Sequence, residues 1–364
     1  MKYLPDNIGL YIHIPFCQKK CFYCDFYSVC LNKSVYRDYL DALINQITSW
    51  SGKIDSTVDT VYIGGGTPSL LRDDILPLMS AVKTNFLVSS DAEITVECNP
   101  NLDLSFLEYA KKSGVNRLSI GVQAGSDSRL MSLGRTHTTA DARRVVEAAR
   151  KQGFDNISCD LMIALPESDI YTLMQDIDFI CGLSPDHISA YMLKIEEKTA
   201  FYRLRNDIKL PDDDSAAGQY LTVCDSLENL GFEHYEISSF ARQNKKSRHN
   251  LKYWRCEEYL GIGPSAHSFI GGKRFFYPRD IKAFIRGNEP TFDCEGGSRQ
   301  EKIILRLRLS EGVEIKDFGY DISYKAEKLK SAGLVNISGD KISLTDKGML
   351  VSNSIITELL YEDI

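Results

Sequence analysis

The sequence lacks the features that would place it in or on a membrane or on nucleic acid. No run approaches the ~18 consecutive apolar residues of a spanning helix, and the N-terminus has no signal-peptide apolar core. A basic run is also missing, and 43 Lys and Arg residues against 50 Asp and Glu residues give a formal charge of −7. We therefore expect no transmembrane segment, no nucleic-acid partner and a cytoplasmic location, with peripheral contact the only membrane role left open.

Internal repeats and low-complexity tracts are absent as well, which argues against solenoid, fibrous and disordered chains. The composition is that of a globular protein, with 43% hydrophobic and 26% charged residues. At roughly 100–200 residues per domain, the 364 residues correspond to two or three domains. We expect a partial barrel over residues 1–200, an extension of it over 201–296 and a small winged-helix-like domain over 297–364.

Apolar runs of strand length alternate with helical patterns through the first half of the chain. Strands are expected at 8–14, 58–63, 94–97, 117–122, 157–162 and 188–192. Helices are expected between them, at 35–50 with Ser34 as its cap and at 71–86, 104–113, 140–152 and 170–181. This alternation predicts an α/β fold with parallel βαβ units, either an incomplete (β/α)6 barrel or a doubly wound sheet.

The pattern changes after residue 200. We expect a helix at 212–230, a strand at 234–240 and a glycine-rich loop across 261–272. Near the C-terminus, short strands at 334–337 and 341–344 flank a Ser-Gly-Asp turn, which is typical of a β-hairpin. Helices followed by such a hairpin give a winged-helix-like α+β appendage, which we interpret as structural because its charges are mixed.

Three of the ten cysteines stand together directly after the first predicted strand. Cys17, Cys21 and Cys24 form a C-x3-C-x2-C pattern, and thiolates are ligands for zinc or iron–sulfur clusters. A closed zinc site wants a fourth ligand, which Cys30 or His13 would have to supply. A [4Fe–4S] cluster on three cysteines instead leaves one iron free for another ligand.

Polar residues also stand where the later predicted strands end. They include Glu97, Gln123, Asp160 and a Gly-Gly-Gly-Thr run that ends at Thr67. In parallel α/β folds the carboxyl ends of the strands carry the functional site. Several segments therefore point to the same rim.

The cysteine spacing after a first strand resembles the signature of the radical S-adenosylmethionine (radical SAM) enzymes. The resemblance implies a [4Fe–4S] cluster on the three cysteines, with SAM chelated to the open iron and an electron donor that reduces the cluster. In that family one electron cleaves SAM into methionine and a 5′-deoxyadenosyl radical. The cofactors carry this chemistry, and the protein supplies position and a dry cavity.

The same resemblance implies roles at the other strand ends. Gly65, Gly66 and Thr67 match the GGT-type motif that contacts the SAM amino group, and Glu97 matches the acidic contact to the amino group or ribose. Arg135, which we expect on a helix, would pair with the SAM carboxylate. The remaining matches are Gln123 as a polar SAM contact, Asp160 facing ribose, and Tyr11 and Tyr23 packing on the cluster and adenine.

Further motifs resemble the oxygen-independent coproporphyrinogen III oxidase-like group across nearly the whole chain. They are His13-Ile14-Pro15-Phe16-Cys17, the Gly-Gly-Gly-Thr-Pro-Ser run at 64–69, Gly121-Val122-Gln123, Leu133-Gly134-Arg135 and Tyr235-Glu236-Ile237-Ser238-Ser239-Phe240-Ala241-Arg242. Two departures count against the oxidase reaction itself. Phe26 stands where the oxidases carry a further cysteine, and the first strand starts too early for their N-terminal extension.

Residues 249–254, His-Asn-Leu-Lys-Tyr-Trp, resemble the HNxxYW motif of the haem chaperones in this group. The resemblance implies haem binding by His249, Tyr253 and Trp254, with haem-accepting respiratory enzymes as partners and a homodimer compatible with the family. His267 is a rival ligand for the haem iron. The alternative for this segment is a core histidine beside two packing aromatics, and the alternative function is coproporphyrinogen III oxidation.

Overall fold

The computed structural model describes residues 5–361. Six strands of the main sheet follow one another up to residue 192: β1 (Asn7–Ile14), β2 (Thr57–Gly65), β3 (Val88–Cys98), β4 (Arg117–Gln123), β5 (Ile157–Ile163) and β6 (His187–Met192). Each pairs in parallel with the next, from β1 to β6. Every residue of β4 is buried, as expected for a parallel strand covered on both faces. The predicted incomplete barrel is confirmed.

Helices connect these strands as predicted. They are α1 (Lys33–Ser49), α2 (Ile75–Asn85), α3 (Ser105–Ser113), α4 (Asp127–Ser132), α5 (Thr139–Lys151) and α6 (Ile170–Gly182). The cap of α1 is Asn32, not Ser34, because the Asn32 side chain accepts a hydrogen bond from the Ser34 backbone. The predicted helix at 71–86 is divided, since a 3-10 helix (Pro68–Asp74) precedes α2 and contains Arg72 at a φ of 52°.

The middle of the chain adds strands to both edges of the same sheet. These are β7 (Glu233–Glu236), β8 (Ser239–Ala241), β9 (Tyr259–Ile262), β10 (His267–Ile270), β11 (Lys273–Phe276) and β12 (Thr291–Glu295). In residues 5–361 the sheet has twelve strands in the order β12-β11-β10-β9-β1-β2-β3-β4-β5-β6-β8-β7. Strand β9 is parallel to β1. The proposed domains 1–200 and 201–296 therefore share one sheet.

Two expectations for this middle region are wrong. The strand expected at 234–240 is a hairpin, in which β7 and β8 pair antiparallel. The glycine-rich loop expected from residue 261 begins inside β9. Gly261 is required there by packing, since a Cβ at this position would lie 2.1 Å from the carbonyl oxygen of His267.

Four helices accompany these strands: α7 (Ala200–Arg203), α8 (Asp213–Asn229), α9 (Arg248–Trp254) and α10 (Ile281–Ile285). The Asp212 side chain caps α8, close to the predicted start. Within residues 5–361, no helix combines the length and the apolar character needed to cross a membrane.

The C-terminal appendage has the expected mixed character. It contains α11 (Arg299–Arg306), β13 (Val313–Glu314), a 3-10 helix (Ile315–Phe318), α12 (Ser323–Ser331), β14 (Val335–Ser338), β15 (Lys341–Leu344), α13 (Asp346–Leu350) and α14 (Ser352–Leu360). The hairpin of β14 and β15 is confirmed, and β13 pairs with its free edge. The expected outer domain limits at residues 1 and 364 lie outside the described residues.

Candidate cluster and cofactor site

The carboxyl ends of the barrel strands surround one cavity of about 520 Å³. Because parallel strands end at the same rim, the loops after them converge there. We call this the cluster end of the barrel. Most of the predicted site residues line the cavity: Cys17, Cys21, Cys24, Tyr23, Gly65, Gly66, Thr67, Glu97, Gln123, Arg135 and Asp160.

The three cysteines follow β1 directly and carry free thiols. The Thr67 hydroxyl lies 3.5 Å from the Cys17 sulfur, and an Arg135 nitrogen lies 3.4 Å from the Cys21 sulfur. Burial, with a smaller contribution from the nearby Cys21, raises the pKa of the Cys24 thiol to about 11. A bound metal centre would stabilise the Cys24 thiolate, which burial alone disfavours.

The surroundings offer three cysteine ligands and no convenient fourth. Both ring nitrogens of His13 are engaged, at 3.0 Å by the Tyr11 hydroxyl and at 2.9 Å by the Tyr27 carbonyl. Cys30 pairs with Cys17 in a short parallel strand pair, Phe16–Cys17 with Val29–Cys30, but it is exposed and does not line the cavity. The donor set that faces the cavity therefore fits a [4Fe–4S] cluster with one open iron better than a closed zinc site.

The glycine turn after β2 is bound closely to the cysteine loop. Gly66 donates its backbone N–H to the Ile14 carbonyl at 2.8 Å, and Thr67 donates to the Phe16 carbonyl at 2.7 Å. A Cβ on Gly66 would lie 2.6 Å from that Phe16 oxygen, and Gly65 has a φ of 115°. Only glycine permits this approach of backbone to loop.

Two carboxyl groups face the cavity from β3 and β5. Glu97 accepts hydrogen bonds from the Tyr62 hydroxyl and the Gly65 N–H, both at 2.9 Å, while burial raises its pKa. Burial, reinforced by the charge of Glu97, raises the pKa of Asp160 to about 7. Asp160 can therefore change its charge near neutral pH.

Arg117 is a cavity residue that the sequence argument did not single out. Its side chain is only 2% exposed, and its Nε has no hydrogen-bond partner within residues 5–361. Its charge lowers the pKa values of Glu97 and Asp160, which burial raises. The period of two along β4, which directs residues 117, 119, 121 and 123 to one face, was the signal that could have found it.

Arg135 lies in a loop, not on the helix that we expected. Helix α4 ends at Ser132 and Gly134 adopts a φ of 73°, which turns the chain out of the helix. One guanidinium nitrogen of Arg135 then donates to the Asn99 side chain at 2.8 Å and to the Gly121 carbonyl at 2.7 Å. Asn99 is a second residue that the sequence argument left without a role.

Gln123 and the two tyrosines occupy different places. Gln123 closes β4 at a φ of 75°, a strained conformation for a residue other than glycine, and such residues cluster at functional sites. Tyr23 lines the cavity, whereas Tyr11 does not. Tyr11 packs inside the barrel, with its ring 6.2 Å from that of Tyr62 and its hydroxyl on His13.

The HNxxYW segment closes the barrel from the end where the strands begin, and its Asn250 lines the same cavity. Helix α9 presents His249 and Tyr253 on one face, as predicted. The His249 ring is 0% exposed, with Nδ1 at 2.9 Å from the Thr60 hydroxyl and Nε2 at 2.8 Å from the Tyr253 hydroxyl. Burial lowers its pKa to about 3. Both ring nitrogens are therefore occupied in this conformation.

The aromatic residues of this segment are packed as well. The Tyr253 ring meets the Tyr259 ring edge-on at 4.5 Å, and the Arg308 guanidinium lies 4.2 Å above the Trp254 ring. The Glu93 carboxylate accepts the His249 backbone N–H at 3.1 Å and so holds the start of α9. We call α9 the plug helix, because it closes this end of the barrel. Haem binding by these three side chains stays a prediction, and it would require the plug helix to move.

Comparison with known proteins agrees with this architecture. A family model for the radical SAM superfamily matches residues 11–180, and one for the HemN C-terminal domain matches residues 299–351. The chain is 36% identical to the heme chaperone HemW of Bacillus subtilis (strain 168), over 97% of this chain and 99% of that protein. The chain belongs to the HemW family. The HemW protein of Escherichia coli (strain K12) is 34% identical over 98% of each chain.

A solved structure shares the whole fold of this HemW family member. Coproporphyrinogen III oxidase (HemN) from Escherichia coli, a radical SAM enzyme, matches it with a TM-score of 0.83 and 25% identity. The match covers 98% of this chain and 91% of that one. Membership in the radical SAM superfamily implies a [4Fe–4S] cluster and SAM, and most of the side chains predicted to contact them line the cavity at the cluster end.

Proposed function

We propose that this chain is a haem chaperone that binds a [4Fe–4S] cluster, SAM and haem, and delivers haem to respiratory haem proteins. The observation that carries the proposal is sequence similarity to proteins named heme chaperone HemW, at 33–36% identity over 97–98% of this chain. The cavity at the cluster end supports the cofactor part of the proposal, because it brings the three cysteines and the SAM-contact candidates together.

We assign the cluster to Cys17, Cys21 and Cys24. When bound, it supplies an open iron and one electron to SAM. The exposed cysteine loop gives an electron donor access to this end of the barrel, since Lys19, Lys20 and Phe26 are exposed there. An Arg135 nitrogen donates toward the Cys21 sulfur at 3.4 Å.

The SAM contacts follow from the donors and acceptors at the rim. The turn Gly65-Gly66-Thr67 and the Glu97 carboxylate would accept hydrogen bonds from the SAM amino group, and Asp160 would accept from ribose. Asn99 and Gly121 hold the planar guanidinium of Arg135, which would pair with the SAM carboxylate. Gln123 and Tyr23 complete the wall of the cavity.

An apolar rim at the mouth of the cavity supports haem binding at the cluster end. Phe26 is 71% exposed, Tyr191 is 44% exposed and Met192 is 40% exposed, and all three line the cavity. Clustered exposed apolar side chains mark interaction sites more often than single ones. A flat, largely apolar ligand such as a porphyrin matches this rim.

The second candidate function is coproporphyrinogen III oxidation, favoured by the fold shared with HemN. The position at which the oxidases carry a further cysteine is occupied here by the exposed, non-ligating Phe26. The curated relatives at 33–36% identity are named as chaperones. We therefore place the chaperone function first.

Haem transfer tests the proposal. The protein is reconstituted anaerobically, loaded with haem, freed of excess haem and mixed with the haem-free form of a respiratory haem enzyme. We expect the enzyme to gain activity faster than it does from haem on serum albumin, which serves as the passive donor. Transfer no faster than from albumin, or no retention of haem, would overturn the proposal.

A further inference from the structure

The six histidines of the chain differ sharply in their access to a ligand. Five are buried: His13, His137, His187, His234 and His249. His267 alone is exposed. A histidine can ligate haem iron only if the porphyrin plane can reach a ring nitrogen. Burial therefore excludes the other five histidines as ligands in this conformation.

The sheet topology places His267 at the cluster end. Strand β9 runs parallel to β1, so its last residues lie at the same end as the cysteine loop. Strand β10 is antiparallel to β9, and His267 is its first residue. It therefore stands at the cluster end of the sheet, two strands away from β1.

The ring of His267 is packed on one face and open on the other. The Phe276 ring stacks on it at 5.7 Å with an interplanar angle of 29°. Within residues 5–361, no hydrogen bond engages its nitrogens. Burial on the Phe276 side and the charges of Arg279 and Arg274 lower its pKa, while Asp293 opposes them. The lowered pKa favours the neutral imidazole, which is the form that binds iron.

A cation, Arg279, follows three residues after Phe276, the residue that pairs with His267 across β10 and β11. The exposed guanidinium of Arg279 is 3.8 Å from the Asp25 carboxylate and lines the cavity mouth together with Phe26. It is also close enough to His267 to affect its titration. A guanidinium in this position can pair with a carboxylate bidentately.

We infer that His267 is an axial ligand of the haem iron and that Arg279 pairs with a haem propionate. The inference rests on the proposed chaperone function, and it moves the haem site from the plug helix to the cluster end. Phe276 fixes the ring of the ligand, and Phe26 supplies an apolar surface next to the cation.

The experiment is a titration of ferric haem into the reconstituted full chain, followed by the Soret band and electron paramagnetic resonance. We expect His267→Ala to weaken haem binding by about tenfold or more, which corresponds to about 1.4 kcal/mol, and to change the ligand signature. Added imidazole should restore the wild-type spectrum. Arg279→Met should weaken binding by a few-fold and leave the ligand signature unchanged.

The titration distinguishes failure of the proposed chaperone function from failure of the ligand assignment. If the wild type does not bind haem, the chaperone proposal fails. If the wild type binds and His267→Ala keeps both the affinity and the spectrum, the ligand assignment is overturned. Cluster content of each variant shows that it has folded, and loss of haem binding without imidazole rescue also counts against ligation by His267.

Discussion

The two ends of the barrel differ in how their polar side chains are partnered. At the cluster end, Arg135, Tyr23 and Asp160 face an open cavity. At the plug end, both ring nitrogens of His249 are engaged, by the hydroxyls of Thr60 and Tyr253. The difference teaches that polar side chains form a binding site where they face open space and a structural network where they bond to one another.

Electrostatics follow the same division. Burial raises the pKa of Asp160 to about 7 at the cluster end, where the group can still exchange its proton. Burial lowers the pKa of His249 to about 3 at the plug end, so it stays neutral throughout the physiological range. The charge of Asp160 at the cluster end can therefore change with pH, whereas His249 at the plug end stays uncharged.

The largest effect is expected when a cysteine of the predicted cluster site is substituted. Cys21→Ala should abolish the [4Fe–4S] cluster, since two remaining thiols cannot hold three irons. Iron and sulfide analysis after anaerobic reconstitution, with the visible absorption spectrum, measures this. Cys30→Ala is the matched control, because Cys30 is exposed and does not line the cavity. A full cluster in the Cys21 variant would show that the ligands lie elsewhere.

At the plug end the expected effect is on stability. His249→Ala should lower the free energy of unfolding by about 2–4 kcal/mol, because it opens a cavity and leaves the Thr60 and Tyr253 hydroxyls unpaired. Tyr253→Phe, which loses one hydrogen bond, should cost about 1 kcal/mol. Urea denaturation followed by circular dichroism gives both values.

The matched control for that pair is the exposed histidine. His267→Ala should change the stability by less than about 0.5 kcal/mol, as surface substitutions usually do. Equal losses of stability in the His249 and His267 variants would contradict the view that His249 is packed and His267 is open. A stable His249 variant that loses haem binding would restore the HNxxYW segment as the haem site.

Arg135→Met should weaken SAM binding by about 10–100-fold, since hydrogen bonds to charged groups contribute about 1.5–3 kcal/mol. Equilibrium dialysis of the reconstituted protein measures the affinity. Arg144→Met is the control, because Arg144 forms a surface ion pair with Asp141 at 3.2 Å and lies outside the cavity. Unchanged affinity in the Arg135 variant would remove Arg135 from the SAM site.

The smallest effect is a pH dependence at Asp160. SAM is a cation, so it prefers the ionised carboxylate, and a pKa of about 7 predicts that affinity falls by about tenfold from pH 8 to pH 6. Asp160→Asn should flatten this profile. Glu97, Arg117 and Arg135 also face Asp160, so a variant that keeps the full dependence would assign it to one of them.

The sequence predicted the features that depend on local spacing. Strand positions follow from short apolar runs, and the C-x3-C-x2-C loop needs only the residues next to β1. The carboxyl ends of parallel strands meet at one rim, and this rule placed Glu97, Gln123 and Asp160 together before any coordinates. The shared helical face of His249 and Tyr253 followed from a spacing of four residues.

Features that depend on distant contacts could not be predicted. Whether His249 is open or packed depends on Thr60 in β2 and Glu93 in β3, about 190 and 156 residues away. Gly261 looks like a loop residue until His267 is placed against it. Arg117 looks like the polar start of a strand until its neighbours enclose it.

Anaerobic turnover with coproporphyrinogen III tests most directly the claim that this chain is a chaperone and not an oxidase. The protein is reconstituted, given SAM and a strong reductant, and analysed by mass spectrometry, with HemN as the positive control. We predict SAM binding with an intact cluster and no protoporphyrinogen IX. A product lighter by two carboxyl groups, formed catalytically, would contradict the account and make the chain an oxidase.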